Sequence, residues 1–379
     1  VALATLLLVG AGLVGRSLYT LFQLDLGYDT ERVLVARVPL AGEEYRERER
    51  KVAFTEAVLE RLRAMPGIVA ASHTNSPPLL GNDGDSSFAI EGRPEAEPGE
   101  EPVAWIRVVE PEFFRTAGVR ISAGRGFESG DREGAPDVVL VNETAARRFF
   151  PDSDALGERV NFNSTVRWRE VVGVVADTRH FGLTEPARPA VYFPWAQSPS
   201  GSPYFLVQTE GDPLARSADL RAAVAEVDPR LPVAAFTTFD ELVGNASRTE
   251  RLLVTLLGLF AGVALLLAAI GLYGVMSHAV TRRRRELGIR LALGADGGTL
   301  RAMVLRQGLV LALVGIGLGL LAGAGLGRVL EGVLYATSPW DLPTYASVPL
   351  VLLAVSVLAL WLPARRASRA EVVEALRHE

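Results

Sequence analysis

The sequence predicts an α-helical membrane protein with four transmembrane helices and a large extracytoplasmic α+β domain. Three observations point there. Apolar runs of the roughly 20 residues that a helix needs to cross a bilayer occur at the start of the chain and three times after residue 251. Residues 23–250 between them read as ordinary globular sequence, rich in charge, Pro and Gly. Charge divides in the same way. From Arg251 onward there are 13 Arg and 7 acids, a net of +6, so the formal total of −5 leaves −11 on residues 1–250.

The first membrane segment covers residues 1–22. A signal peptide is the competing interpretation, but there is no positive n-region, and Arg16 stands where a small-residue cleavage site should follow. A transmembrane helix cut short at its start is the expectation. Residues 23–250 form the extracytoplasmic core domain, with a split βαβ, porter-like subdomain expected at about 23–79 and 201–245. Its first half takes ERVLVARVPL (31–40) as a strand, Glu43 to Met65 as an amphipathic helix with Phe54, Val58 and Leu62 on one face, and Ile68 to Thr74 as the next strand. Its second half takes YFLVQTEG as a strand, Pro213 to Val227 as a helix and VAAFTT as a strand.

An α+β insert is expected at about 80–200. The Gly-, Pro- and acid-rich stretch Pro77 to Gly99 reads mostly as loop. After it come strands at AWIRVV, DVVLVN, RVNFN, WREVVGVVAD and AVYFPW, and helices at PEFFRTAG and ETAARRFF. The C-terminal region, 251–379, holds membrane helices at about 252–280, 308–330 and 345–362, the last stopped by Pro363.

Arginine in the short loops sets the orientation. The loop 281–306 has seven Arg and two acids, the loop 331–347 two acids and no basic residue, and the tail from Ala364 four Arg and three acids. The Arg-rich loop and the tail therefore face the cytoplasm, and the large domain faces outward. Tyr335, Trp340, Tyr345 and Trp361 fall where an interfacial aromatic belt belongs.

Several functions are excluded or disfavoured. An acidic soluble part does not suit nucleic acid as a partner. With no cysteine, disulfides and thiolate metal sites are out. Lys51, the one lysine, lies in ERERKVAF, so no standard Walker A loop can form. His73, His180, His278 and His378 are scattered, none in a metalloprotease motif, and there is no G-x-S-x-G elbow. GNDGD, with Asn82, Asp83 and Asp85, lacks EF-hand spacing. Asp177 and His180 in VVADTRH read as a strand end and polar turn rather than an acid–base pair. No enzyme, cofactor or metal site is expected. No acid or base lies centrally in the membrane helices, against an ion-driven mechanism.

Two motifs remain. RRRRELGIRLALGA (282–295) reads as a coupling segment for a cytoplasmic motor subunit; the plainer alternative is a positive flank anchoring the second helix. Arg282, Arg285, Glu286, Leu287, Gly288, Ile289, Arg290, Leu293, Gly294 and Ala295 are its candidate contacts. In the third helix, Gly315, Gly319, Gly323 and Gly327 recur every fourth residue, a spacing that lets helices approach closely, within the bundle or across a dimer.

The segment after the second helix resembles that of the MacB/FtsX-type permease family of ABC transporters. PEFFRTAGV, VLVNETAARRFFP and WREVVGVVADTRHFGL are similar to its periplasmic core domain, and the tail LPARRASRAEVVEALRHE to its closing segment, with Val372 where a Pro is usual. The opening, VALATLLLVGAGLVGRSLYTL, resembles the start of the C-terminal half of the acidobacterial-type duplicated orphan permeases. The resemblance implies a bacterial inner-membrane permease subunit working by mechanotransmission. A separate ATP-binding subunit would drive the periplasmic domain, with export of antibiotic, peptide or lipoprotein among the relatives' tasks. It implies as partners membrane lipid, that ATP-binding subunit, a second permease half or homodimer, and a periplasmic protein. An FtsX-like regulator or scaffold of periplasmic proteins is the alternative.

Overall fold

The computed structural model describes residues 1–29, 31–80, 84–94, 96–97, 99–162, 167–283, 286, 289–290, 296–330, 334 and 337–367. They form two compact units, 1–24 with 248 onward, and 25–247.

Four helices of the first unit are long and apolar enough to span a membrane: α1 (Ala2–Phe22), α7 (Arg248–Arg282), α8 (Gly297–Leu330) and α9 (Leu342–Ala367). At 1.5 Å per residue, the 35 residues of α7 reach ~50 Å, beyond a hydrocarbon core of about 30 Å. Its polar ends therefore carry helix past the apolar run. Two clusters hold the bundle. One joins Leu272 and Met276 of α7 to Leu300 and Val304 of α8 and Leu360 and Ala364 of α9. The other joins Val9 and Leu13 of α1 to Ile316, Val348 and Leu352.

Pro363 does not stop the last helix, contrary to the sequence expectation; α9 runs through it to Ala367. Helices in membranes tolerate proline where neighbours restrain the freed backbone. Here Leu360 and Ala364, on either side of the proline, are 0% and 2% exposed within the first cluster.

The second unit contains the strands. β1 (Val33–Arg37), α2 (Arg48–Arg63) and β2 (Ile68–Thr74) form one βαβ unit; β10 (Tyr204–Thr209), α5 (Ser217–Val227) and β11 (Ala234–Thr238) form the other. Their strands interleave in the order β11-β1-β10-β2 with antiparallel neighbours, the ferredoxin-like arrangement. Alternation along β1 explains its burial on both faces. Leu34 and Ala36 join Val58, Leu62, Leu220 and Val224 of the helices. Val33 and Val35 turn to the opposite cluster with Phe113, Phe114, Tyr192 and Phe239. Phe113 and Phe114 belong to α3 (Phe113–Thr116), and Phe239 opens α6 (Phe239–Ala246). A reciprocal capping box between Thr238 and Glu241 starts α6, which the sequence analysis did not anticipate.

Between β2 and β10 the chain builds a ring. β3 (Asp85–Ile90), β4 (Val103–Val109), β6 (Val138–Asn142), β7 (Arg159–Phe162), β8 (Arg169–Val175) and β9 (Ala190–Pro194) pair in the order β4-β3-β7-β8-β6-β9. Parallel pairing of β9 with β4, Trp105 opposite Ala190, closes it. The insert is thus a small barrel whose closure leaves those strands no free edge. The loop expected over Pro77 to Gly99 is corrected by β3, which pairs with β4 and β7. β5 (Ile121–Gly124), also unanticipated, pairs with β8 where Gly173 makes close approach possible. A Cβ on Gly173 would stand 2.2 Å from the Arg125 carbonyl oxygen.

Candidate functional site

The segment between α7 and α8 is built on the far end of the long helix. Arg282 closes α7. Glu286, Ile289 and Arg290 are helical and exposed. Arg290 Nη2 donates to Glu286 Oε1 at 2.6 Å, an i,i+4 pair with both side chains about half open to solvent. Such a pair contributes about 0.3–0.5 kcal/mol, enough to favour a helical turn but not to fix a fold. Arg290 also reaches Met303 Sδ of α8 at 3.4 Å. The crevice between these groups is about 20 Å³, room for a water molecule and no ligand. Ile289 is 49% exposed. One exposed isoleucine is ordinary; its place in the stretch 281–306, net +5, gives it weight. Arg285, Leu287, Gly288, Leu293, Gly294 and Ala295 lie outside the described residues, as do Asn82 and Asp83 of GNDGD and Tyr335.

The four glycines of α8 divide between two neighbours. A Cβ on Gly315 would lie 2.8 Å from Val1 Cβ; on Gly319, 2.3 Å from Thr5 Cβ and 2.6 Å from the Ala2 carbonyl oxygen; on Gly323, 3.2 Å from a Val9 methyl. Gly327 instead meets the carbonyl oxygen of Pro339 at 3.0 Å. The complementary row of Val1, which caps α1, with Thr5 and Val9 on it was missed in the sequence, although its own i+4 spacing was a usable signal.

Asp177 works as a structural anchor. Its carboxylate accepts from Asn142 Nδ2 (2.7 Å), Thr144 N (2.8 Å), Thr144 Oγ1 (2.7 Å) and Arg147 Nη2 (2.8 Å). Asn142 in turn caps α4 (Glu143–Phe149), accepting from Ala145 N, and also accepts from Ala190 N of β9. These bonds tie β6, α4, β8 and β9 together and leave the Asp177 carboxylate well supplied with donors, which suits a strut better than a proton carrier.

With this geometry in place, two family models match. Residues 1–229 match the MacB-like periplasmic core domain and residues 258–372 the FtsX-like permease C-terminal domain. The chain belongs to the MacB/FtsX-type family of ABC transporter permeases. This permease is 29% identical over 293 residues to the ABC transporter permease YvrN of Bacillus subtilis, across 72% of this chain and 69% of YvrN. It is 28% identical over 294 residues to YknZ of the same organism, across 74% and 71%. It is 29% identical over 280 residues to the macrolide export ATP-binding/permease protein MacB of Chromobacterium violaceum, across 71% of this chain. It spans only 42% of that MacB's length. Among solved structures, the periplasmic region of MacB from Actinobacillus actinomycetemcomitans aligns with a TM-score of 0.40 and 15% identity, over 60% of the permease and 97% of that region. Family and helices together make the permease a membrane protein with an extracytoplasmic domain.

Proposed function

We propose that this permease is the membrane subunit of a MacB-like ABC-type transport system in the bacterial inner membrane. A separate ATP-binding subunit docks on the cytoplasmic segment 282–295, and its hydrolysis cycle moves α7 and thereby the extracytoplasmic domain. The observation that carries this proposal is the match of one chain to both the periplasmic-core-domain and the permease-domain models. The exposed Glu286–Arg290 ion pair between α7 and α8 supports the docking surface. The permease works as a pair, with a second copy or a second permease half. Support comes from α7, whose Leu259, Phe260, Leu266 and Ile270 are all more than half exposed. Gly315, Gly319 and Gly323 pack α8 against α1 within each half. Export of an antibiotic, peptide or lipoprotein is the expected outcome of the motion.

Copurification tests this. Tagged protein extracted gently from native membranes should bring an ATPase subunit with it, and Glu286→Arg/Ile289→Asp should lose that subunit while retaining the folded membrane chain. Absence of any ATPase, even after crosslinking, would remove the motor and leave an FtsX-like scaffold of periplasmic proteins as the function.

A further inference from the structure

Arg169 opens β8 on the same side as the core residue Val171, while Glu170 between them is exposed. Its guanidinium therefore turns toward the barrel interior, over the Phe193 ring at 5.2 Å from the centroid. The residue is only 9% exposed. Nε is enclosed without a partner. The two terminal nitrogens are not enclosed, yet they donate to nothing among the described residues, and no carboxylate there forms an ion pair with them. An aromatic face attracts a cation but has no lone pairs for a guanidinium's five N–H donors. Keeping an arginine charge out of water is costly unless an anion meets it.

Two more guanidiniums stand beside it. Arg48, the first residue of α2, and Arg167 share the Glu133 carboxylate, at 3.3 and 2.9 Å, and Arg167 stands 3.7 Å from Asp137. Burial lowers the Arg169 pKa, Asp137 opposes that shift, and repulsion from Arg167 and Arg48 adds to it. Three bases against two acids leave +1, in a part of the chain, 1–250, that carries −11. Glu133 is half exposed. With its side chain turned away, the three arginines and Asp137 leave +2.

We propose that Arg48, Arg167 and Arg169 form a binding site for a phosphate dianion, free or at the end of a monoester. The dianion displaces Glu133 from Arg48 and Arg167 and accepts from the terminal nitrogens of Arg169. Guanidinium forks match phosphate oxygens in geometry, and two negative charges balance the +2 that remains. Arg48 belongs to the ferredoxin-like half and the other two to the barrel, so one bound phosphate ties the halves of the domain together. The site needs no ATPase, and its test is separate from copurification.

The full chain in phosphatidylcholine nanodiscs, with empty discs as the blank, is titrated at pH 8 with phenyl phosphate and with benzenesulfonate, which share a ring and a tetrahedral head and differ in charge. Saturable binding of phenyl phosphate, at least tenfold tighter than the sulfonate, is expected. Inorganic phosphate should compete for the site; competition at equal affinity marks free phosphate as the ligand, and at tenfold lower affinity the monoester. Arg169→Met should weaken phenyl phosphate at least tenfold, and so should Arg48→Gln, whose half-exposed position leaves folding intact. Glu133→Gln, which removes the internal competitor, should tighten it at least threefold. Arg115→Gln, the same loss of charge on α3, should leave it unchanged. No saturable binding, equal binding of the two probes, no competition by phosphate, native affinity in Arg48→Gln, no tightening in Glu133→Gln, or an equal loss in Arg115→Gln would each overturn the proposal.

Discussion

Single side chains hold the extracytoplasmic domain at two knots of opposite character. At Asn142, one amide serves four partners: it donates to Asp177 and to the Arg188 carbonyl, and it accepts from Ala145 and Ala190. Asn142→Ala leaves the buried Ala145 and Ala190 N–H groups without that acceptor and takes one of the donors from Asp177, so a loss of about 2–4 kcal/mol is expected. The thermal transition of the solubilised chain checks this. At Asp228 the knot is electrostatic. Hydrogen bonds from the Arg230 side chain and backbone hold its carboxyl well below the usual carboxylate range, with help from the Tyr45 hydroxyl. Burial and that same bond push the Tyr45 hydroxyl up to about 12, so it stays a protonated donor. A depressed carboxyl adds stability that is fully present above the unfolded value, near 3.9, and is lost as pH falls through the folded one. The difference in transition temperature between the native chain and Asp228→Asn should therefore be level from pH 8 to about 5 and shrink below about 4. A difference that grew with acid would refute the assignment.

Among the elements, α8 shows how a helix can distinguish glycines that look alike in sequence. Gly317 and Gly319 both lie in the apolar run, yet a Cβ on Gly317 meets nothing within 4 Å while one on Gly319 meets Thr5 at 2.3 Å. Gly319→Val should lower stability in detergent by about 1–3 kcal/mol, the usual cost of overpacking, and Gly317→Ala should leave it unchanged. Equal effects would mean that α1 and α8 do not meet along this face. Helices and central strands were legible in the sequence because their patterns are long: apolar runs for the membrane, and VVLVN or VLVA for strands buried on both faces. β3 was not, because Asp85, Ser86 and Ser87 give it weak strand propensity and only Phe88 and Ile90 mark its buried side. Gly124 hid β5 in the same way. α9 was taken to end at Pro363 because the local rule for proline ignores the packing of Leu360 and Ala364.

For the whole molecule, the absence of cysteine in the sequence makes topology directly measurable. In spheroplasts, an impermeant maleimide should label Asp152→Cys in the extracytoplasmic domain at once and Arg283→Cys, at the end of α7, only after the membrane is opened. The reverse pattern would invert the orientation. The interleaved ferredoxin-like sheet also sets an order in time. Val33 waits for Gln208 and Leu34 for Thr238, while every strand of the barrel lies between them in the chain. Contacts so distant along the chain form slowly, and a nascent polypeptide emerging across the membrane presents β1 long before its partners exist. The barrel can close first, as a contiguous piece, with β1 unpaired and exposed to whatever is nearby. Pulse-labelled hydrogen exchange during synthesis should find the amides of β8 protected before those of β1, making the entry strand the point where a folding helper is most needed.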